Sequence, residues 1–112
     1  MSTISTHVLD TSAGRPAQGM TIRLSRLDDG VETVLSEGVT NADGRVLDLV
    51  PGGQIAPGRY RMWFDTGAWQ EARGVLGFYP EVVVTFDVRA QAEHHHVPLL
   101  ISPYGFSTYR GS

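Results

Sequence analysis

Residues 21–39 read TIRLSRLDDGVETVLSEGV. Two runs of alternating apolar and polar residues, Thr21–Leu27 and Glu32–Val39, flank Asp28-Asp29-Gly30. Asp-Gly between alternating runs is a strong hairpin signal, because both residues accept the positive φ that a two-residue turn demands. Outward from this hairpin the pattern repeats. Further strands are expected near Ile4–Asp10, Tyr60–Phe64, Val82–Arg89, His95–Ile101 and Gly105–Arg110. Turns are expected at Ser12–Pro16, Asn41–Gly44, Pro51–Gly53 and Ser102–Gly105. Turn residues recur every eight to twelve positions, which is sandwich or barrel spacing. Only 66–74, TGAWQEARG, breaks the alternation. It reads as a short helix with Thr66 near its N-cap and Gly74 near its C-cap. The expectation for all 112 residues is a single domain: an all-β, two-sheet sandwich with one short helix.

Composition narrows the chemistry. All 9 basic residues are Arg, so a Schiff-base lysine is excluded. There is no Cys, which excludes a thiol nucleophile, a disulfide framework and an iron–sulfur cluster. The net charge of -3 argues against a nucleic-acid partner, which requires a basic patch. No apolar run approaches the ~18 residues of a membrane span. The first residues, MSTISTHVLD, have neither a basic nor an apolar signal region, so the cytoplasm is the expected location.

Alternation also says where the unusual residues point. In the first strand Ile4, Thr6 and Val8 share one face, and Ser5, His7 and Leu9 the other. In the penultimate strand His95, Val97, Leu99 and Ile101 make the better core stripe. His94, His96, Pro98 and Leu100 then face outward. Apolar residues beside two outward histidines suggest that this outer face packs against another subunit.

The run His94-His95-His96 invites a metal reading. In a strand only His94 and His96 share a face, and a zinc site needs three or four ligands. His7 is a third candidate if the strands pair, but no Cys and no convincing carboxylate ligand accompanies the cluster, so no metal and no cofactor is expected; the bland reading is a strand-end cluster with exposed His94 and His95. Arg45, after Asn41-Ala42-Asp43-Gly44, reads either as a solvated arginine behind a turn or as a fork for an oxyanion. The end, Tyr109-Arg110-Gly111-Ser112, reads either as a frayed tail or, given Phe106 and Tyr109, as a packed one.

The opening Ser5-Thr6-His7-Val8-Leu9-Asp10-Thr11 with Gly14-Arg15-Pro16-Ala17 resembles that of the transthyretin-like proteins. The closing stretch 96–112, HVPLLISPYGFSTYRGS, resembles the signature of the 5-hydroxyisourate hydrolase branch of that family. Thr40–Arg45 and Phe78-Tyr79-Pro80-Glu81 extend the likeness through the middle. The resemblance implies a transthyretin-like sandwich and a hydrolase acting on 5-hydroxyisourate, the unstable product of urate oxidation. It implies a catalytic set of His7, Arg45 and His96, with Tyr109, Arg110, Gly111 and Ser112 as the substrate-binding tail. It also implies a homotetramer, a dimer of dimers, with sites at the dimer–dimer interface. The family often has an aromatic residue where this chain has His95. That position faces away from His96, and no role is carried onto it.

The residues suit direct attack by water on a cyclic acyl–nitrogen bond. One neutral His removes the water's proton, Arg45 meets the oxyanion, and the other His orients the water or protonates the leaving nitrogen. Which His is the base stays open. Two rival readings remain: a carrier for a small aromatic ligand, and a purely structural sandwich.

Overall fold

A computed structural model describes residues 3–89 and 94–111. The strands are β1 (Thr3–Asp10), β2 (Arg15–Pro16), β3 (Thr21–Asp28), β4 (Val31–Val39), β5 (Gly58–Phe64), β6 (Val82–Val88), β7 (His94–Ile101) and β8 (Phe106–Thr108). One helix, α1 (Thr66–Glu71), links β5 to β6, and a 3₁₀ turn spans Pro51–Gly53. The strands form two four-stranded sheets, β2-β1-β7-β8 and β4-β3-β5-β6. The sandwich expected from the alternation is therefore the fold observed.

The β3–β4 hairpin turns at Asp29 (φ 49) and Gly30 (φ 79), two positive angles in succession. Its ladder slips between Leu24 and Ser25, and both residues end up buried. This bulge has no mark in the alternation. Between the sheets, Val8, Ile22, Leu24, Met62, Phe64, Leu99 and Ile101 are all at most 1% exposed. Val8, Leu99 and Ile101 come from the faces assigned to the core by period two. Fully burying such a side chain contributes roughly 1.5–3 kcal/mol.

Three local differences from expectation stand out. Arg15-Pro16, expected as part of a turn, pairs with Asp10 and Leu9 as a two-residue edge strand. Proline lacks an N–H and is tolerated where only one side of the strand is bonded. The cap position of α1 is Asp65, one residue before Thr66. Thr66 is fully buried, and its Oγ1 donates to the Tyr79 carbonyl (3.2 Å), anchoring the helix start to the following loop. The last strand ends at Thr108 rather than Arg110.

β1 and β7 lie side by side and parallel, with Ser5 opposite His96 and His7 opposite Pro98. This pairing joins the two ends of the chain and sets the site described next. Among the described residues, no helix is long and apolar enough to cross a membrane.

Candidate active site

The outer face of the β2-β1-β7-β8 sheet carries Ser5, His7 and Leu9 from β1, and His94, His96 and Leu100 from β7. His7 and His96 are half-buried, and His94 is exposed. His95 points the other way and is buried at 4% exposure, so only His94 fits the exposed strand-end reading. Pro98 differs from expectation. It is already covered within the chain, where the Thr108 Oγ1 donates to the Pro98 carbonyl (2.7 Å).

Arg45 reaches this face through its turn. The Asn41 side-chain oxygen accepts from the backbone N–H of Asp43 (2.9 Å) and of Arg45 (3.1 Å). Asn41 N–H donates to the Arg45 carbonyl (2.7 Å), which closes the loop. The Gly44 carbonyl then accepts from Val8 N–H (2.8 Å), which docks the turn against β1 beside His7. Gly44 has φ +77, and an added Cβ would lie 2.4 Å from the Val8 carbonyl oxygen and 3.3 Å from His7 Cδ2. Only glycine permits this approach. Arg45 itself is exposed, and it makes no ion pair among the described residues.

Arg45 is close enough to act on His96 electrostatically. Burial first, and then the positive charge of Arg45, hold the His96 imidazole below its ordinary value of 6.5, with His94 and His7 adding to the effect. The neutral, lone-pair form is thus favoured near neutral pH. A titration of the His96 ring by NMR is expected to have its midpoint below 6.5, and Arg45→Gln is expected to move it upward. An unmoved midpoint would separate Arg45 from the ring. The folded state binds this proton less readily than the unfolded state. Stability from this group is therefore lost as pH falls below 6.5 through the lowered midpoint.

The tail meets the same histidine. Gly111 continues the β8 register opposite His96, with its N–H donating to the His96 carbonyl (2.8 Å). A Cβ on Gly111 would stand 2.5 Å from His96 Cδ2. Tyr109 and Arg110 instead line a cleft of about 360 Å³ between the sheets, together with His95, Val97 and Phe86. Ser112 lies outside the described residues. His7, Arg45, His96 and Gly111 are thus brought together, whereas Arg110 is not.

Two further side chains join them. The Ser5 hydroxyl lies 2.8 Å from His96 Nδ1 and 2.7 Å from His94 Nε2. Alternation alone places Ser5 on the histidine face, but only the β1–β7 register sets it opposite His96. The described residues group no three His, Cys, Asp or Glu side chains in a geometry that could hold a metal ion. The arrangement offers a neutral imidazole, a second imidazole, a fixed cation and backbone groups, which together suit acid–base hydrolysis.

The family model described as HIUase/Transthyretin matches residues 4–111. The chain is 46% identical over 113 residues to the 5-hydroxyisourate hydrolase of Mus musculus, covering 99% of this chain and 96% of that one. The solved 5-hydroxyisourate hydrolase of Klebsiella pneumoniae is 42% identical, with a TM-score of 0.87 over 100% of this chain and 94% of its own. Sea bream transthyretin in complex with thyroxine is 31% identical, with a TM-score of 0.90 over 96% of this chain and 93% of its own.

Proposed function

The chain belongs to the HIUase/transthyretin family, and we propose that it hydrolyses 5-hydroxyisourate in urate degradation. The observation that carries this reading is the convergence of His7, Arg45 and His96 on one sheet face, with Gly111 seated against His96. Backbone likeness does not discriminate, since a hydrolase and a carrier superpose almost equally well. The side chains do. A carrier of a small aromatic ligand has no use for an imidazole kept neutral beside an arginine.

In the proposed reaction, water attacks the ring carbonyl of the acyl–nitrogen bond. His96 takes the water's proton through its free nitrogen and returns it to the leaving nitrogen. His7 orients the water. The Arg45 guanidinium meets the charge that develops on the carbonyl oxygen. Tyr109-Arg110-Gly111-Ser112 is the substrate-binding tail, with Gly111 as its support on His96; within one chain Tyr109 and Arg110 line the inter-sheet cleft instead of the histidine face. The test is an ultraviolet time course on 5-hydroxyisourate generated in situ by urate oxidase. Decay is expected to accelerate with this protein, and an unchanged rate would end the reading.

We also propose a homotetramer, a dimer of dimers with its sites between the dimers. The two outer sheet faces differ in kind. That of β4-β3-β5-β6 is laced with ion pairs at 2.8 Å: Arg23–Glu37, Arg61–Glu32 and Arg59–Asp87. Arg23 also stacks on Trp63, 4.5 Å from the ring centroid. Exposed pairs of this sort add little stability, but they mark a face at home in water. The opposite face presents Leu9, Leu100 and three imidazoles, which suits contact with a second dimer. Among the described residues the edges β6 and β8 carry unpaired backbone suited to joining two chains. Light scattering at micromolar concentration is expected to give four chains. A monomer would overturn both the interface and the placement of sites within it.

A further inference from the structure

A row of side chains runs from His96 along the site face through Ser5, His94 and Thr3, which have no part in the reaction as described. His96 Nδ1 lies 2.8 Å from Ser5 Oγ, Ser5 Oγ lies 2.7 Å from His94 Nε2, and His94 Nδ1 lies 2.6 Å from Thr3 Oγ1. The parallel register produces this row, because it sets Ser5 opposite His96 and Thr3 opposite His94. The two imidazoles stack with centroids 6.5 Å apart. His96 is half-buried at the site, and His94 is exposed.

The Ser5 hydroxyl has one proton and faces two ring nitrogens. It donates to one and accepts from the other. The tautomers of His94 and His96 are therefore coupled. When Ser5 donates to His94 Nε2, His96 carries its proton on Nδ1 and its Nε2 lone pair is bare. When Ser5 donates to His96 Nδ1, His96 Nε2 carries the proton. These are the two states that a general base passes between when it takes a proton and later returns it.

We propose that Ser5 and His94 are positioning residues that form a proton relay, moving the positive charge created on His96 to the exposed end of β7. The inference rests on the hydrolase reading. As His96 Nε2 takes the water's proton, His96 Nδ1 passes its own proton to Ser5 Oγ. Ser5 passes its proton to His94 Nε2, and His94 Nδ1 releases one to solvent beside Thr3. His96 ends neutral, with one proton on Nε2. When that proton goes to the leaving nitrogen, each movement runs in reverse and His94 recovers a proton from solvent. No atom is gained or lost by the relay.

The electrostatics give the reason for such a device. The groups facing His96 are Arg45 from its turn, His7 from β1 and His94 from its own strand. A cationic His96 would sit half-buried beside the Arg45 cation, so its charge is costly there. The same charge on exposed His94 is solvated and further along the strand.

Three variants test the relay in dilute buffer that lacks imidazole. His94→Gln keeps a polar side chain but cannot carry the proton. It is expected to lower kcat on the order of ten-fold, below the roughly 10²-fold minimum for loss of a general acid or base, with KM retained. Added imidazole is expected to restore part of the loss. Ser5→Ala is expected to lower kcat similarly and to change the Nδ1–H to Nε2–H ratio of His96 read by 15N NMR. Ser5→Thr keeps the hydroxyl and is expected to preserve both. Wild-type kcat in His94→Gln, or a loss that imidazole leaves untouched, would overturn the relay. An inactive wild-type chain would instead overturn the hydrolase reading on which it rests, so the two failures are distinguishable.

Discussion

His96→Ala is expected to slow turnover of 5-hydroxyisourate by roughly 10²–10⁴, the usual cost of losing a general acid or base, and His7→Ala, which removes the group that orients the water, by about the same order. Neither change should much alter the melting temperature. Both side chains stand on the outer face of β1 and β7, and the core stripe Ile4, Val8, Val97 and Leu99 on the opposite face is untouched. In the proposed reaction His96 and His7 act on one water molecule, so the double variant should lose little more than the worse single one. Fully multiplicative losses would assign them independent roles. Arg45→Lys should join them as a large loss of activity with the fold retained. A lysine keeps the charge but not the planar fork. The turn is held by the Asn41 side chain and by the Gly44 carbonyl, not by the guanidinium. Steady-state rates of the three single variants measure all of this. Near-wild-type turnover in any one removes that residue from the set, and Arg45 would then be a solvated arginine behind a turn.

Gly111→Ala should cost roughly 10²-fold in kcat/KM, the scale associated with displacing a catalytic group by about 1 Å. The new methyl would stand 2.5 Å from His96 Cδ2 and 3.0 Å from its Cβ and Cγ. No rotamer avoids a clash set by the backbone, so the tail or the ring must move. Stability should fall by only about 1 kcal/mol, the worth of the single backbone hydrogen bond from Gly111 to His96. Removing the last four residues should likewise spare the fold and abolish turnover. Unfolding curves and rates on the two variants separate these effects. If Gly111→Ala keeps wild-type kcat/KM, the tail does not hold His96.

Much of this site was legible as alternation. The outward assignment of His7 and His96 and the inward one of Ile4, Thr6 and Val8 follow from period two within each strand, which needs no knowledge of partners. The Asn41–Gly44 turn was legible from its residue types for the same local reason. The bulge at Leu24/Ser25 was not, because a one-residue slip is a property of the pairing between two strands. The edge pairing of Arg15-Pro16 with β1 was missed on the same ground.

Spacing and composition set the class of fold, the two faces of the first and penultimate strands and the chemistry left available once Lys and Cys are absent. Any register would preserve those properties. The tertiary structure alone decided that β1 lies parallel to β7, although Ser5 and His96 are far apart along the chain. It also decided that the Gly44 carbonyl docks Arg45 beside His7, and that Gly111 rather than Arg110 returns to His96. Each of these is a contact between distant segments, settled by burying one continuous core, and no local pattern encodes which distant neighbour a strand will meet.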